Sequence, residues 1–238
     1  MFYEHLNPHS LRNFLKQPSH ETLKGLLLDH TGETDFLDFK TKWIDFTKMA
    51  KHILAIANSG GGCVIVGVGQ NDDGTIDLTG LSDHEVIDKA DIDNKLEHLL
   101  PKYLKYRVED FHFYREMNSS LAGKLFQVLI IEYDPKYVPY TSVVNRNELR
   151  YGAIYARQGT KSIEATNEKL VEIILRKVQS GGSDVNDYTL KDHLEQLRDL
   201  YEEYEKHKND EYGKYLKELI SRKKRRIEHN LDLFTEDL

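Results

Sequence analysis

The segment Cys63-Val-Ile-Val-Gly-Val68 is apolar throughout and rich in β-branched residues. A strand of that kind is hidden on both faces, whereas a strand at a sheet surface alternates apolar and polar positions. The residues before it say how it is entered. Phe46, Met49, Ala50, Ile53, Leu54 and Ala57 recur at three and four residues. This spacing predicts a helix over 45–57, with the Asp45 carboxylate at its N-terminal end, where the helix dipole favours negative charge. Asn58-Ser-Gly-Gly-Gly62 then stops the helix, because these residues tolerate positive φ.

The same reading extends in both directions. Residues 9–30 read as one or two short helices, with Ser19 as an N-cap and Leu23, Leu26 and Leu27 at helical spacing. Asp35 to Lys40 reads as a strand. Gln70-Asn-Asp-Asp-Gly74 reads as a tight turn joining the buried strand to Thr75–Leu78 in a hairpin. A helix is expected over 82–100, strands over 107–114, 124–133 and 149–157, and a closing helix over 167–178. This mixed alternation predicts an α/β (α+β) fold. Ser180-Gly-Gly-Ser183 reads as a flexible linker. It divides a domain over 1–179 from a C-terminal α-helical extension over 184–238. In the extension Thr189 is positioned to cap a long helix, with Asp192 reaching back. Leu190, Leu194, Leu197, Tyr201 and Tyr204 form one stripe, and Tyr212, Tyr215, Leu216, Leu219 and Ile220 another. Two such helices do not bury their stripes alone, so they are expected to pack on each other, on the main domain or on a second copy.

Length and charge narrow the class. At 238 residues the chain exceeds one domain of about 100 to 150 residues. No apolar run approaches the roughly 18 residues of a membrane span, and the N-terminal residues lack the basic-then-apolar order of a signal peptide. The single cysteine excludes a disulfide framework or a multi-cysteine zinc site and points to a cytoplasmic protein. A net charge of −7 argues against non-specific coating of nucleic acid, though not against a local basic face.

Three constellations bear chemistry. Asp38 and Lys40 are two apart on a predicted strand and so share a face, placing a carboxylate beside an ammonium. Carboxylates together hold Mg²⁺ or Mn²⁺ through hard oxygens, and a lysine stabilises charge developing on an attacked phosphate; the bland alternative is a solvated ion pair. Glu33 is five residues from Asp38, so a loop or bulge must intervene if both serve one site. The glycine-rich turn at 58–62 follows a helix rather than preceding one, which makes it a helix stop and not a phosphate loop. Arg146, Arg150, Tyr155, Arg157 and Lys161 interleave cations with an aromatic, a pattern suited to phosphates and stacked bases but also to an ordinary strand. Beyond these, Arg222 to Arg226 is a basic run on a predicted helix, suited to phosphate backbones, anionic membrane or plain solvation.

In this order the segments resemble the Schlafen AlbA-like domain of bacterial, phage and vertebrate proteins. That family's pattern is an acidic residue before Glu-Phe-Lys, a helix ending Ala-Phe-Ala-Asn-x-x-Gly-Gly, a strand ending Gly-Val-x-Asp and a downstream Tyr-x-Arg-x-Gly-Ser. Here the counterparts are Glu33 with Asp38-Phe-Lys40, Ala55-Ile-Ala-Asn-Ser-Gly-Gly-Gly62, Gly67-Val-Gly-Gln70 and Tyr155-Ala-Arg-Gln-Gly-Thr160.

The resemblance implies a mixed sheet with packed helices and, in nucleolytic members, a three-carboxylate Mg²⁺ or Mn²⁺ site that cuts structured RNA such as transfer RNA. Glu33 and Asp38 would take the first two positions, with Lys40 beside them as the charge-stabilising group. Gln70 stands at the third, where Asp72 or Asp73 would have to supply the missing oxygen. The expected nucleic-acid contacts are Lys40, Arg146, Arg150, Tyr155, Arg157 and Lys161, with RNA favoured over DNA. The preferred expectation is a metal-dependent nuclease, toxin-like or antiphage. The alternative is a non-catalytic nucleic-acid-binding or regulatory module that oligomerises, or docks a partner protein, through residues 184–238.

Overall fold

The structure, a computed structural model, describes residues 9–29, 32–70, 75–114, 120–180 and 190–231. The chain divides into two compact units on either side of residues 183 and 184.

The first unit is built on a mixed four-stranded sheet, β1 (Leu37–Lys40), β2 (Gly62–Val66), β6 (Leu125–Ile131) and β5 (Tyr106–His112), in that spatial order. β1 runs parallel to β2; the other pairs are antiparallel. As the apolar run requires, β2 is buried along its whole length. Its alternate side chains serve two cores. Cys63 and Ile65 face α1 (His9–Lys16) and α2 (His20–Leu28), which contribute Leu11, Phe14, Leu23, Leu26 and Leu27. Val64 and Val66 face α3 (Phe46–Ser59), which contributes Met49, Ala50, Ile53, Leu54 and Ala57. The expected caps are present. Ser19 and Thr22 form a reciprocal capping box on α2, and Asp45 accepts from the Thr47 and Lys48 amides at the start of α3.

The return from α3 to β2 is tight. Gly60 caps the helix at φ 121°, and Gly62, at φ 152°, lies against β1's entry so closely that a β-carbon there would stand 2.0 Å from the Phe36 carbonyl oxygen. Only glycine combines that backbone angle with that approach.

Three segments depart from the sequence reading. Gly67, at φ 106°, ends β2 early, and the hairpin is a separate two-residue pair, β3 (Gly69–Gln70) with β4 (Ile76–Asp77). The helix expected over 82–100 is only α4 (Lys89–Leu96). Its forerunner is a turn in which Glu85 accepts from the Ser82 amide, and the buried Gln127 of β6 hydrogen-bonds both the N–H and the carbonyl of Ile87. A side chain from the sheet thus takes the backbone groups that a helix would have used. The strand expected over 149–157 begins later, as β7 (Tyr155–Gln158), because Leu149 and Arg146 pair across a turn. It forms a hairpin with β8 (Lys161–Glu164), which closes onto α5 (Asn167–Gln179).

The second unit contains α6 (Leu190–Lys206) and α7 (Glu211–Leu231), which pack on each other. Leu216, Ile220 and Ile227 are buried, while Leu194, Tyr212 and Tyr215 are exposed. Part of the basic run serves this pairing: Lys224 lies 5.1 Å over the Tyr201 ring and Lys223 reaches Gln196. Thr189 and most of the 180–183 linker lie outside the described residues. Among the described residues no helix is long and apolar enough to cross a membrane.

Gly62→Ala forces its new methyl into the Phe36 carbonyl, and we expect it to cost at least about 2 kcal/mol by overpacking and strain. Urea denaturation measures this; a loss below about 0.5 kcal/mol would show that β1 moves aside freely.

Candidate functional site

Side chains from β1, α3, β7 and β8 converge on one buried cluster. Asp38 and Lys40 sit on the α3 side of β1, opposite Leu37 and Phe39, as their two-residue spacing predicts. Lys40 Nζ lies 2.5 Å from Asp38 Oδ2. Glu33 joins them through a bend. Thr34 N–H donates to the Leu37 carbonyl and Phe36 N–H to Thr34 Oγ1, turning the chain back so that Glu33 Oε1 accepts from Phe39 N–H at 3.0 Å. Glu33 Oε1 then stands 3.7 Å from Lys40 Nζ. Burial, followed by the neighbouring Asp38 charge, raises the Glu33 pKa above its ordinary value.

Arg157 completes the cluster from the far end of the chain. It is wholly buried, and its Nη1 donates to Asp38 Oδ1 at 3.0 Å while Nη2 donates to the Thr34 carbonyl at 3.1 Å. Nη1 also lies 3.3 Å from both His52 Nδ1 and Ser162 Oγ. An arginine N–H only donates, so His52 Nδ1 is the acceptor and the imidazole proton resides on Nε2. Burial pushes His52 down to about 4, which keeps the ring neutral.

The glycine-rich turn explains how Arg157 reaches this position. Asn58 Nδ2 donates to the Tyr140 and Tyr155 carbonyls, Asn58 Oδ1 accepts from Tyr140 N–H, and Ser59 Oγ accepts from Arg157 N–H. These bonds dock β7 against the end of α3. Asn58 and Ser59, which read as no more than a helix stop, are therefore positioning residues. His52, Ser162 and Thr34 carried no sequence signal at all, because each acts through a partner more than a hundred residues away.

The remaining expected residues fall into two groups. Arg146, Arg150 and Lys161 are exposed, with Arg150 ion-paired to Glu164. Tyr155 is buried, its hydroxyl donating to the Glu148 carbonyl and accepting from Arg150 N–H. Tyr155 and Arg157, expected as nucleic-acid contacts, are 3% and 0% exposed, so in this structure neither side chain is presented at the surface. Asp72 and Asp73 lie outside the described residues.

A hard cation such as Mg²⁺ or Mn²⁺ is held by carboxylates with negative charge to spare. Here Asp38 has one oxygen against Arg157 and the other against Lys40, and the pair of carboxylates is balanced by a pair of cations. Among the described residues no three His, Cys, Asp or Glu side chains are grouped to hold a metal. These residues, as arranged, do not fit the ion.

Asp38→Asn leaves the Arg157 charge buried and unpaired, which we expect to cost about 3–5 kcal/mol. Replacing both, as Asp38→Leu with Arg157→Met, costs less than the two single changes together. Urea denaturation of the four proteins decides it, and additive losses would refute the coupling. The pH dependence follows from His52. Between pH about 4 and 6.5 the unfolded chain binds a proton that the folded imidazole refuses. Stability therefore falls as pH drops through that window, by about 3 kcal/mol at about 1.4 kcal/mol per unit. Glu33, raised, contributes in the opposite direction above its ordinary 4.5, so the contribution is read from the difference between the parent and His52→Gln. A flat difference between pH 4 and 7 would remove His52 from the account.

A search of curated proteins finds no matching relative. The family model described as Schlafen, AlbA_2 matches residues 33–166, a span that begins at Glu33 and takes in Asp38, His52, Asn58, Arg157 and Ser162. More than half of the chain is covered, and the chain belongs to the Schlafen AlbA_2 family.

Proposed function

We propose that this chain is a nucleic-acid-binding module, with RNA favoured over DNA, that engages its ligand through an exposed cationic flank. The observation that carries the reading is the gathering of Lys48, Lys51, Arg146, Arg150 and Lys161 from distant parts of the sequence. Lys51 Nζ pairs with Glu148 at 3.0 Å, placing the 142–150 loop along α3. Lys48 also acts on the Glu148 carboxylate, and Arg146 acts on Asp45. Arg150 pairs with Glu164 of β8, whose first residue is Lys161. Exposed pairs of this kind are worth at most about 1 kcal/mol, so phosphates displace the carboxylates readily. Family membership supports the same reading, and the net charge of −7 argues against non-specific coating and so favours a local cationic face. The helical unit is read as the part that self-associates or docks a partner protein.

A second reading, metal-dependent cleavage of RNA such as transfer RNA in a toxin-like or antiphage role, is favoured by the meeting of Glu33 and Asp38 at Lys40. It requires further oxygens, from Asp72 or Asp73, and a rearranged charge balance. The variant that tests it is Glu33→Gln, because Asp38 variants unfold the cluster for reasons unrelated to catalysis.

Fluorescence anisotropy with a labelled single-stranded RNA should show binding that weakens steeply between about 50 and 200 mM salt and ignores EDTA. Lys48→Ala and Lys161→Ala should each lower the log–log salt slope by about one. No binding at low salt would refute the proposal. Product that appears with Mn²⁺ and disappears in Glu33→Gln would replace it with the second reading.

A further inference from the structure

A groove of about 330 Å³ opens between the first turn of α3 and α4, bounded by the loop that carries Arg146. It lies apart from the Asp38 cluster. Phe46 supplies a phenyl ring to its lining, and that ring is backed by Trp43, lying parallel with centroids 5.9 Å apart and planes 8° apart. Trp43 is fixed in turn by its Nε1–H bond to the buried Gln127 at 2.7 Å. The Lys95 ammonium stands 4.9 Å over the Phe46 ring. Arg146, Asn94 and His98 complete the wall, all exposed. Asp45 is the one carboxylate of the lining. It is exposed and caps the helix, accepting from Thr47 N–H and Lys48 N–H, and it also draws Arg146, so a phosphate here takes Arg146 from it.

We propose that this groove is a subsite for one unstacked nucleotide of a single-stranded nucleic acid, the base lying on Phe46 and the phosphate on Lys95 and Arg146. The proposal rests on the nucleic-acid-binding reading above and names where a base is held. The volume is at the small end of ligand sites, enough for one base with its sugar. A rigid aromatic pair is the surface on which bases stack without regard to sequence. Lys95 has a flexible stem that lets its ammonium leave the ring for a phosphate as the base arrives. Asn94 and His98 offer donors and acceptors to the base edge. The groove is also in register with the cationic flank. From Asp45 to His52 α3 advances about 10 Å at about 1.5 Å per residue, the length of about three stacked nucleotides at about 3.4 Å each. Lys48 and Lys51 lie along that path.

The test uses the full chain and a short oligouridylate carrying one fluorescent purine. The parent should quench the purine on binding, as stacking does. Lys95→Ala with Arg146→Ala should weaken binding about tenfold and lower the salt slope by about two, while thermal unfolding is unchanged because both side chains are exposed. Phe46→Leu should remove the quench. Lys16→Ala, an exposed cation on α1 across the sheet, should alter neither. If the parent binds but the double variant binds equally well, or the quench survives in Phe46→Leu, the subsite is refuted and the broader function stands. If the parent does not bind at all, both fail.

Discussion

The Asp38–Arg157 ion pair links the first strand to the seventh across 119 residues, and the architecture around it exists to make that pair affordable. Two charges taken out of water recover their hydration only if every partner is well placed. The guanidinium finds Asp38, the Thr34 carbonyl, Ser162 and His52 within 3.3 Å. Each of these depends on another element. Thr34 needs the bend before β1, Ser162 needs the β7–β8 turn, and His52 must be neutral to accept. β7 reaches the pair only because Asn58 and Ser59 hold its backbone, and those residues stand where they do because the three glycines after them turn the chain at once into β2.

This dependence explains which parts of the protein were legible in its sequence. The shared face of Asp38 and Lys40 was readable because it follows from the two-residue period of a strand. α3, its Asp45 cap and the doubly buried β2 were readable for the same local reason. Glu33 was readable only as a condition, that a bend must intervene, and Thr34 and Phe36 supply it. The burial of Arg157 was not legible. Tyr-Ala-Arg-Gln is an ordinary strand pattern, and the residue that makes the arginine internal lies at the other end of the domain. The overlong helix before α4 failed similarly: Val86 and Ile87 continue an apolar periodicity, but Gln127, forty residues on, takes the backbone of Ile87.

The charge balance separates family membership from chemistry. Glu33, Asp38 and Lys40 are brought together as the Schlafen pattern implies, yet the proximity of carboxylates is not by itself a cation site. Arg157 hydrogen-bonds Asp38 Oδ1 and the Lys40 ammonium is ion-paired with Oδ2, and burial raises the Glu33 pKa above its ordinary value. A divalent ion reaching Asp38 Oδ2 and Glu33 would have to displace the Lys40 ammonium, while Arg157 stays on Oδ1. In this arrangement Asp38 ties β7 to β1 through Arg157, while Glu33 bonds the Phe39 amide beside Lys40.

Once that tie is made, its consequence reaches the surface. Fixing β7 fixes the hairpin to β8 and the 142–150 loop that precedes it, and that loop lies against α3 through Lys51 and Glu148. Arg146, Arg150 and Lys161 are therefore held on rigid supports rather than on mobile loops, while Lys48 and Lys51 stand on the helix itself. Preorganised cations lose less side-chain freedom when a phosphate arrives, so a flank of few charges on an acidic protein can still bind. α3 is the common element: its C-terminal end holds the ion pair, its middle carries cations, and its first turn presents Phe46. α3, against which β7 is docked by one buried arginine, thus sets the spacing of Phe46, Lys48 and Lys51.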